Sequence, residues 1–143
     1  VYELMGEDKQ ALKMIKKAIE SLPENAEYRL LQARVYDHLG NEIEAEKAYE
    51  KVIELNPDEK EPWLDYAGFL DKIGKVNLAI EILLEGLAMT EDYPEFFYRL
   101  CACMLKAGRE AEALMFLGDG LLEDYEKYPS LFNYYPEAQD NLN

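Results

Sequence analysis

A chain of 143 residues suffices for one compact domain or one short repeat array, and 49% hydrophobic residues exclude global disorder. With 30 Asp and Glu against 15 Lys and Arg, the net charge is -15, which disfavours phosphate backbones and anionic membrane surfaces as partners. No apolar run approaches the roughly 20 residues that span a bilayer, and no basic-then-apolar signal segment opens the chain.

The first stretch, YELMGEDKQALKMIKKAIESLPEN, reads as the end of one helix, a turn at Gly6, and a second helix with Ala11, Leu12, Ile15 and Ile19 on one side. Pro23 closes it. The chain opens on Val1 rather than Met, and most of a first helix is lacking. Leu12, Ile15 and Ile19 are therefore expected to be partly uncovered. A further helix upstream, or a second copy of the chain meeting this N-terminal edge, would cover them.

The next stretch, AEYRLLQARVYDHLG, sets Leu30, Leu31, Ala33, Val35, Tyr36 and Leu39 at helical spacing. Gly40 ends it, because glycine readily takes the left-handed conformation of a C-terminal cap. In EIEAEKAYEKVIEL, the residues Ile43, Ala45, Ala48, Tyr49, Val52, Ile53 and Leu55 line one broad face. Asn56-Pro57 ends that helix, since a residue before proline is pushed out of helical geometry. The same pair of helices returns around Gly74 and around Gly108. No stretch shows sustained strand alternation bounded by hairpin turns.

Gly6, Gly40, Gly74 and Gly108 are 34 residues apart. Full repeats run over 26–59, 60–93 and 94–127, with a partial repeat over 1–25. Five residues after each glycine stands an alanine: Ala11, Ala45, Ala79 and Ala113. Seven residues before the last three glycines stands another small residue: Ala33, Ala67 or Cys101. Small residues at both places let two helix backbones approach. Large residues beside them, such as Tyr36, Leu70 and Met104 or Ile15, Tyr49, Leu83 and Leu117, fill the grooves. One hairpin cannot bury both its faces, so the pattern must recur. The tail from Tyr128 falls out of register, and its Leu131, Phe132 and Tyr135 suit a short helical turn that caps the last hairpin over 128–143.

This pattern resembles the tetratricopeptide repeat (TPR), a 34-residue helix–turn–helix unit. Trp63, Leu100, Ala33 and Ala67, Tyr2 and Tyr36, the four alanines after the glycines, Ala18, and Pro23 and Pro57 stand where that family prefers Trp, Leu, a small residue, Tyr, Ala, Ala and Pro. The resemblance covers about residues 1–127 and departs at Glu91 and Tyr125, where the family has Pro; Pro94 and Pro129 lie slightly later. It implies an all-α fold, a right-handed α–α superhelix with the first helix of each repeat on a concave face.

Catalytic constellations are missing from the sequence. His38 is the single histidine and reads as an ordinary exposed side chain; alone it makes no metal site. Cys101 and Cys103 stand two apart on a helix, point about 200° apart and cannot chelate one ion. They make no disulfide framework, read as packing residues, and fit a reducing, cytoplasmic setting. Gly118-Asp119-Gly120 lies mid-helix by register and reads as close packing rather than phosphate binding, since no strand precedes it. Acidic side chains are so abundant that any two resemble a dyad; a solvated surface is the better reading. No metal or cofactor is expected.

By the resemblance, the concave face carries Glu27, Glu61 and Glu95 as an acidic rail and Leu30, Leu64 and Tyr98 as an apolar rail. Arg34, Gly68 and Ala102, then Asp37, Asp71 and Leu105, then His38, Lys72 and Lys106 follow along it, and Arg99 lies beside it. Such a groove suits a peptide with basic and apolar side chains, the charge speeding encounter and the apolar contacts supplying affinity. The three glutamates also suit helix starts, where negative charge meets the positive end of the dipole. The clamp with which some TPR domains hold acidic chaperone tails needs cations where this chain has Leu30, Leu64, Tyr98 and the glutamates. Only Arg34 and Arg99 echo it, which argues against such tails.

The expected function is a non-catalytic scaffold that binds a protein or peptide in its groove. The alternatives are a structural, self-associating segment and the regulatory region of a larger enzyme.

Overall fold

The computed structural model describes residues 2–91 and 93–123. Over these residues the backbone forms α-helices and no strand: α1 (Tyr2–Ser21), α2 (Ala26–His38), α3 (Glu42–Leu55), α4 (Lys60–Lys72), α5 (Val76–Met89), α6 (Pro94–Lys106) and α7 (Glu110–Glu123). The expected capping residues Leu131, Phe132 and Tyr135 lie outside the described residues. The helices fall into two compact units divided between Pro62 and Trp63.

The repeat is metrical. Helices α2, α4 and α6 begin 34 residues apart, and so do α3, α5 and α7. The cause is a turn made three times in the same way. Gly40, Gly74 and Gly108 have φ of 76°, 87° and 78°, in the left-handed region. At the first turn, Gly40 N–H donates to Asp37 O at 3.0 Å and Asn41 N–H to Tyr36 O at 2.9 Å. The same pair of bonds recurs at Gly74 and Lys75, and at Gly108 and Arg109. This double closure satisfies the last carbonyls of each first helix. Asn41 then caps α3, its side chain accepting from Glu44 N–H at 3.4 Å. Asn25 does the same for α2 through Tyr28 N–H at 3.1 Å, whereas Pro94 opens α6 with its fixed φ.

Gly6 departs from this scheme. It lies inside α1, which runs unbroken from Tyr2 to Ser21, and makes no turn. The residues on both sides of Gly6 are helical and form one continuous helix. Leu12 and Ile19 are half-buried, as expected of this edge, whereas Ile15 is buried against that expectation.

In the first unit α1 packs on α2, and α2 on α3. Ala33 and Ala45 are both 0% exposed, with Tyr36, Tyr49 and Val52 buried beside them. In the second unit the corresponding small residues Ala67, Ala79, Cys101 and Ala113 are buried, with Leu70, Leu83, Met104 and Leu117 filling the grooves. There α6 packs against both α5 and α7; Phe97 and Phe116 bring tilted rings together across α6 and α7 at 6.3 Å. Gly86 of α5 marks the tightest approach. A Cβ built on it would stand 2.7 Å from the Phe96 ring and 2.9 Å from Trp63 Cβ. Gly118 is different from the expectation of close packing: it lies mid-helix in α7 but is exposed, with open space about it.

Candidate functional site

The second unit holds a pocket between α4 and α6. Two residues at the same repeat position make room for it: Gly68 has no side chain and Ala102 has a methyl group only. Around them stand Ala67, Asp71, Leu83, Arg99, Cys103 and Lys106, enclosing a cavity of about 220 Å³.

Polar side chains at its rim tie the two helices together. Arg99 Nη1 donates to the main-chain oxygen of Leu64 at 2.8 Å, and its Nε lies 3.5 Å from Glu95 Oε1 one turn earlier. Lys106 Nζ donates to Asp71 Oδ2 at 2.8 Å. The inner lining is apolar, completed by the Cys103 thiol. Burial pushes that thiol up to about 11, Asp71 adding to the shift and Lys106 and Arg99 opposing it. Cys101, deeper in the core, is pushed up to about 11 by burial. Both thiols are protonated near neutral pH and behave as small packing groups.

Of the residues expected to line the groove, Asp71 and Arg99 meet at this pocket, with Glu95 touching Arg99. In the first unit, Glu27 is exposed in the first turn of α2 and Glu61 in the first turn of α4. Arg34 is exposed, and Leu30 and Asp37 are half-buried. Leu64 and Tyr98 are a correction to the apolar rail: they are 6% and 0% exposed, so their surface belongs to the core. For Tyr98 the reason is that α6 is packed on two sides. His38 is exposed as expected, but it is not alone: its Nδ1 lies 2.5 Å from Asp8 Oδ2, joining α2 to α1.

The pocket's inner residues Ala67, Leu83 and Cys103 were not among those expected to meet a ligand. The signal for the opening is present in the pair Gly68 and Ala102, two small residues 34 apart at the same repeat position.

A family model described as tetratricopeptide repeat matches residues 26–59, the hairpin of α2 and α3. That match identifies residues 26–59 as a tetratricopeptide repeat. The chain shares its fold with the crystal structure of MamA, at 20% identity and a TM-score of 0.71, over 94% of this chain and 80% of that one. It is likewise similar to a thermophilic TPR protein of Thermus thermophilus, at 23% identity and a TM-score of 0.70, over 94% of this chain and 74% of that one. These likenesses are of fold, and they place the chain among all-α helical-repeat solenoids. A comparison with curated proteins returned no match. Among its described residues, no helix is long and apolar enough to cross a membrane.

Proposed function

We propose that this TPR chain is a non-catalytic interaction module that holds a segment of a protein partner, with the pocket between α4 and α6 receiving one of the partner's side chains. The TPR fold is in general a protein-interaction scaffold. The observation that carries the finer reading is the pocket itself, which opens between two first helices at Gly68, Asp71, Ala102 and Lys106, positions that face ligands by the family resemblance. Its volume of about 220 Å³ lies below the roughly 300–1,000 Å³ of small-molecule sites and suits a single side chain better than a cofactor. Exposed Glu27 and Glu61, with a net charge of -15, favour a partner that carries basic residues around its apolar anchor. Leu30, Arg34 and Asp37 are the further residues proposed to meet such a partner.

The test is selection of a displayed library of random dodecapeptides on the chain and on Gly68→Leu, which fills the pocket. Enriched peptides should bind the variant at least ~10-fold more weakly, a loss of about 1.4 kcal/mol. Peptides that bind both chains equally would move the site off the pocket. A selection with no enrichment would remove the peptide-binding reading. Changing Glu27, Glu61 and Glu95 together to Lys should weaken the selected peptides most at low salt, because exposed charges are screened beyond about 8 Å at physiological ionic strength.

A further inference from the structure

The charges at the pocket are already matched. Lys106 is bonded to Asp71 at 2.8 Å, and Arg99 is held by the Leu64 carbonyl at 2.8 Å with Glu95 3.5 Å away. A carboxylate that entered would have to draw Lys106 away from Asp71. An ammonium group would have to draw Asp71 away from Lys106. Either way one member of a partly buried pair loses its counter-charge, and that is more costly than leaving the pair intact. Within the rim, Ala67, Leu83, Ala102 and Cys103 offer apolar surface and a neutral thiol. An uncharged aliphatic group gains by leaving water there and disturbs no ion pair.

Resting on the reading of this face as a partner-binding surface, we infer that the pocket selects an uncharged aliphatic side chain, leucine or methionine, and rejects aspartate and lysine. The Asp71–Lys106 pair is the device that rejects them, one member against each sign. The acidity of the whole chain acts on the partner's flanking residues, outside the pocket.

The inference is tested with membranes spotted with nonapeptide mixtures, random at eight positions and fixed at the centre as Leu, Met, Asp or Lys. The Leu and Met spots should retain at least ~5-fold more chain than the Asp and Lys spots. Gly68→Leu, checked as folded by its thermal melt, should lose that preference. Two further variants test the device directly. Lys106→Met leaves Asp71 without its cation and should turn the preference toward the Lys spot. Asp71→Asn releases Lys106 and should turn it toward the Asp spot. The Lys106 and Asp71 side chains are 37% and 29% exposed, and each variant is checked as folded by its thermal melt. Retention without preference, a Gly68-dependent preference for Asp or Lys in the native chain, or a preference unmoved by any of the three variants would overturn the inference while leaving peptide binding standing. Retention by no spot would overturn peptide binding itself, and the inference with it.

Discussion

Arg99 reaches from α6 to α4 and donates from Nη1 to the main-chain oxygen of Leu64 at 2.8 Å. Gly68, one turn further along α4, leaves the guanidinium room; a Cβ there would stand 3.5 Å from Nη1, in ordinary contact. A hydrogen bond from a charged group contributes about 1.5–3 kcal/mol when it is removed from water. Arg99→Met should lower stability by about that amount in urea denaturation. Arg99→Lys should recover little, since lysine lacks the planar fork. An unchanged midpoint in Arg99→Met would show that this bond does not hold the two helices together.

Gly68 and Gly86 are both helical glycines, and the same substitution should act on them with opposite sign. Gly68→Ala meets only the Arg99 contact and removes a flexible residue from α4, so it should stabilise by about 0.5–1 kcal/mol. Gly86→Ala would drive a methyl group to 2.9 Å from Trp63 Cβ, which side-chain rotation cannot relieve. Overpacking of this kind costs about 1–3 kcal/mol. Thermal melts of the two variants side by side decide the matter. Equal shifts would mean that α4 and α5 are less closely approached than the described geometry requires.

Gly6 and Gly40 make a second matched pair. They are equivalent in the sequence period, but Gly40 has φ of 76° while Gly6 lies inside α1. Gly40→Ala should destabilise by about 1–2 kcal/mol, the penalty for an L-residue in the left-handed region. Gly6→Ala should raise helix content and stability slightly, by up to about 1 kcal/mol. A loss at Gly6 comparable with that at Gly40 would restore a turn at both.

The cysteines predict a pH dependence. Both thiols are held up to about 11 in the folded chain against an ordinary 9.0. As pH rises past 9.0, the unfolded chain loses these protons first, so the unfolded state is favoured. The stability that the buried thiols contribute is therefore whole below pH 9 and is lost between pH 9 and about 11. The check is urea unfolding of the native chain and of the double variant Cys101→Ala, Cys103→Ala from pH 7 upward. Tyrosine and lysine titration is common to both chains, so their difference isolates the thiols. It should be constant to pH 9 and shift against the native chain above it. A difference that stays constant throughout would contradict the burial of the thiols.

Much of the hairpin architecture was legible because its causes are local and repeated. The turns at Gly40, Gly74 and Gly108 follow from glycine's tolerance of positive φ at the end of an apolar helical face. The burial of Ala33 and Ala45, of Ala67 and Ala79, and of Cys101 and Ala113 follows from small residues returning at constant spacing. Gly6 misleads because the period carries the residue type forward without fixing its φ, and the residues on both sides of it continue one helix. Gly118 misleads because a small residue permits close approach without requiring it.

The candidate site divides along the same line. Asp71, Gly68, Ala102 and Lys106 were legible through the family resemblance, which assigns their positions to one side of the first helices, with Arg99 beside them. That Leu64 and Tyr98 are buried, that Lys106 takes Asp71 and Arg99 takes the Leu64 carbonyl, and that Gly86 has no room for a methyl group were not legible. Each depends on which atoms of another helix stand within a few ångströms. The sequence by itself determined the period, the helices and the turns, because backbone conformation is decided within one hairpin. Only the tertiary structure decided which side chains the packing consumes and which remain to line a pocket, because burial and pairing belong to the neighbours that packing brings together.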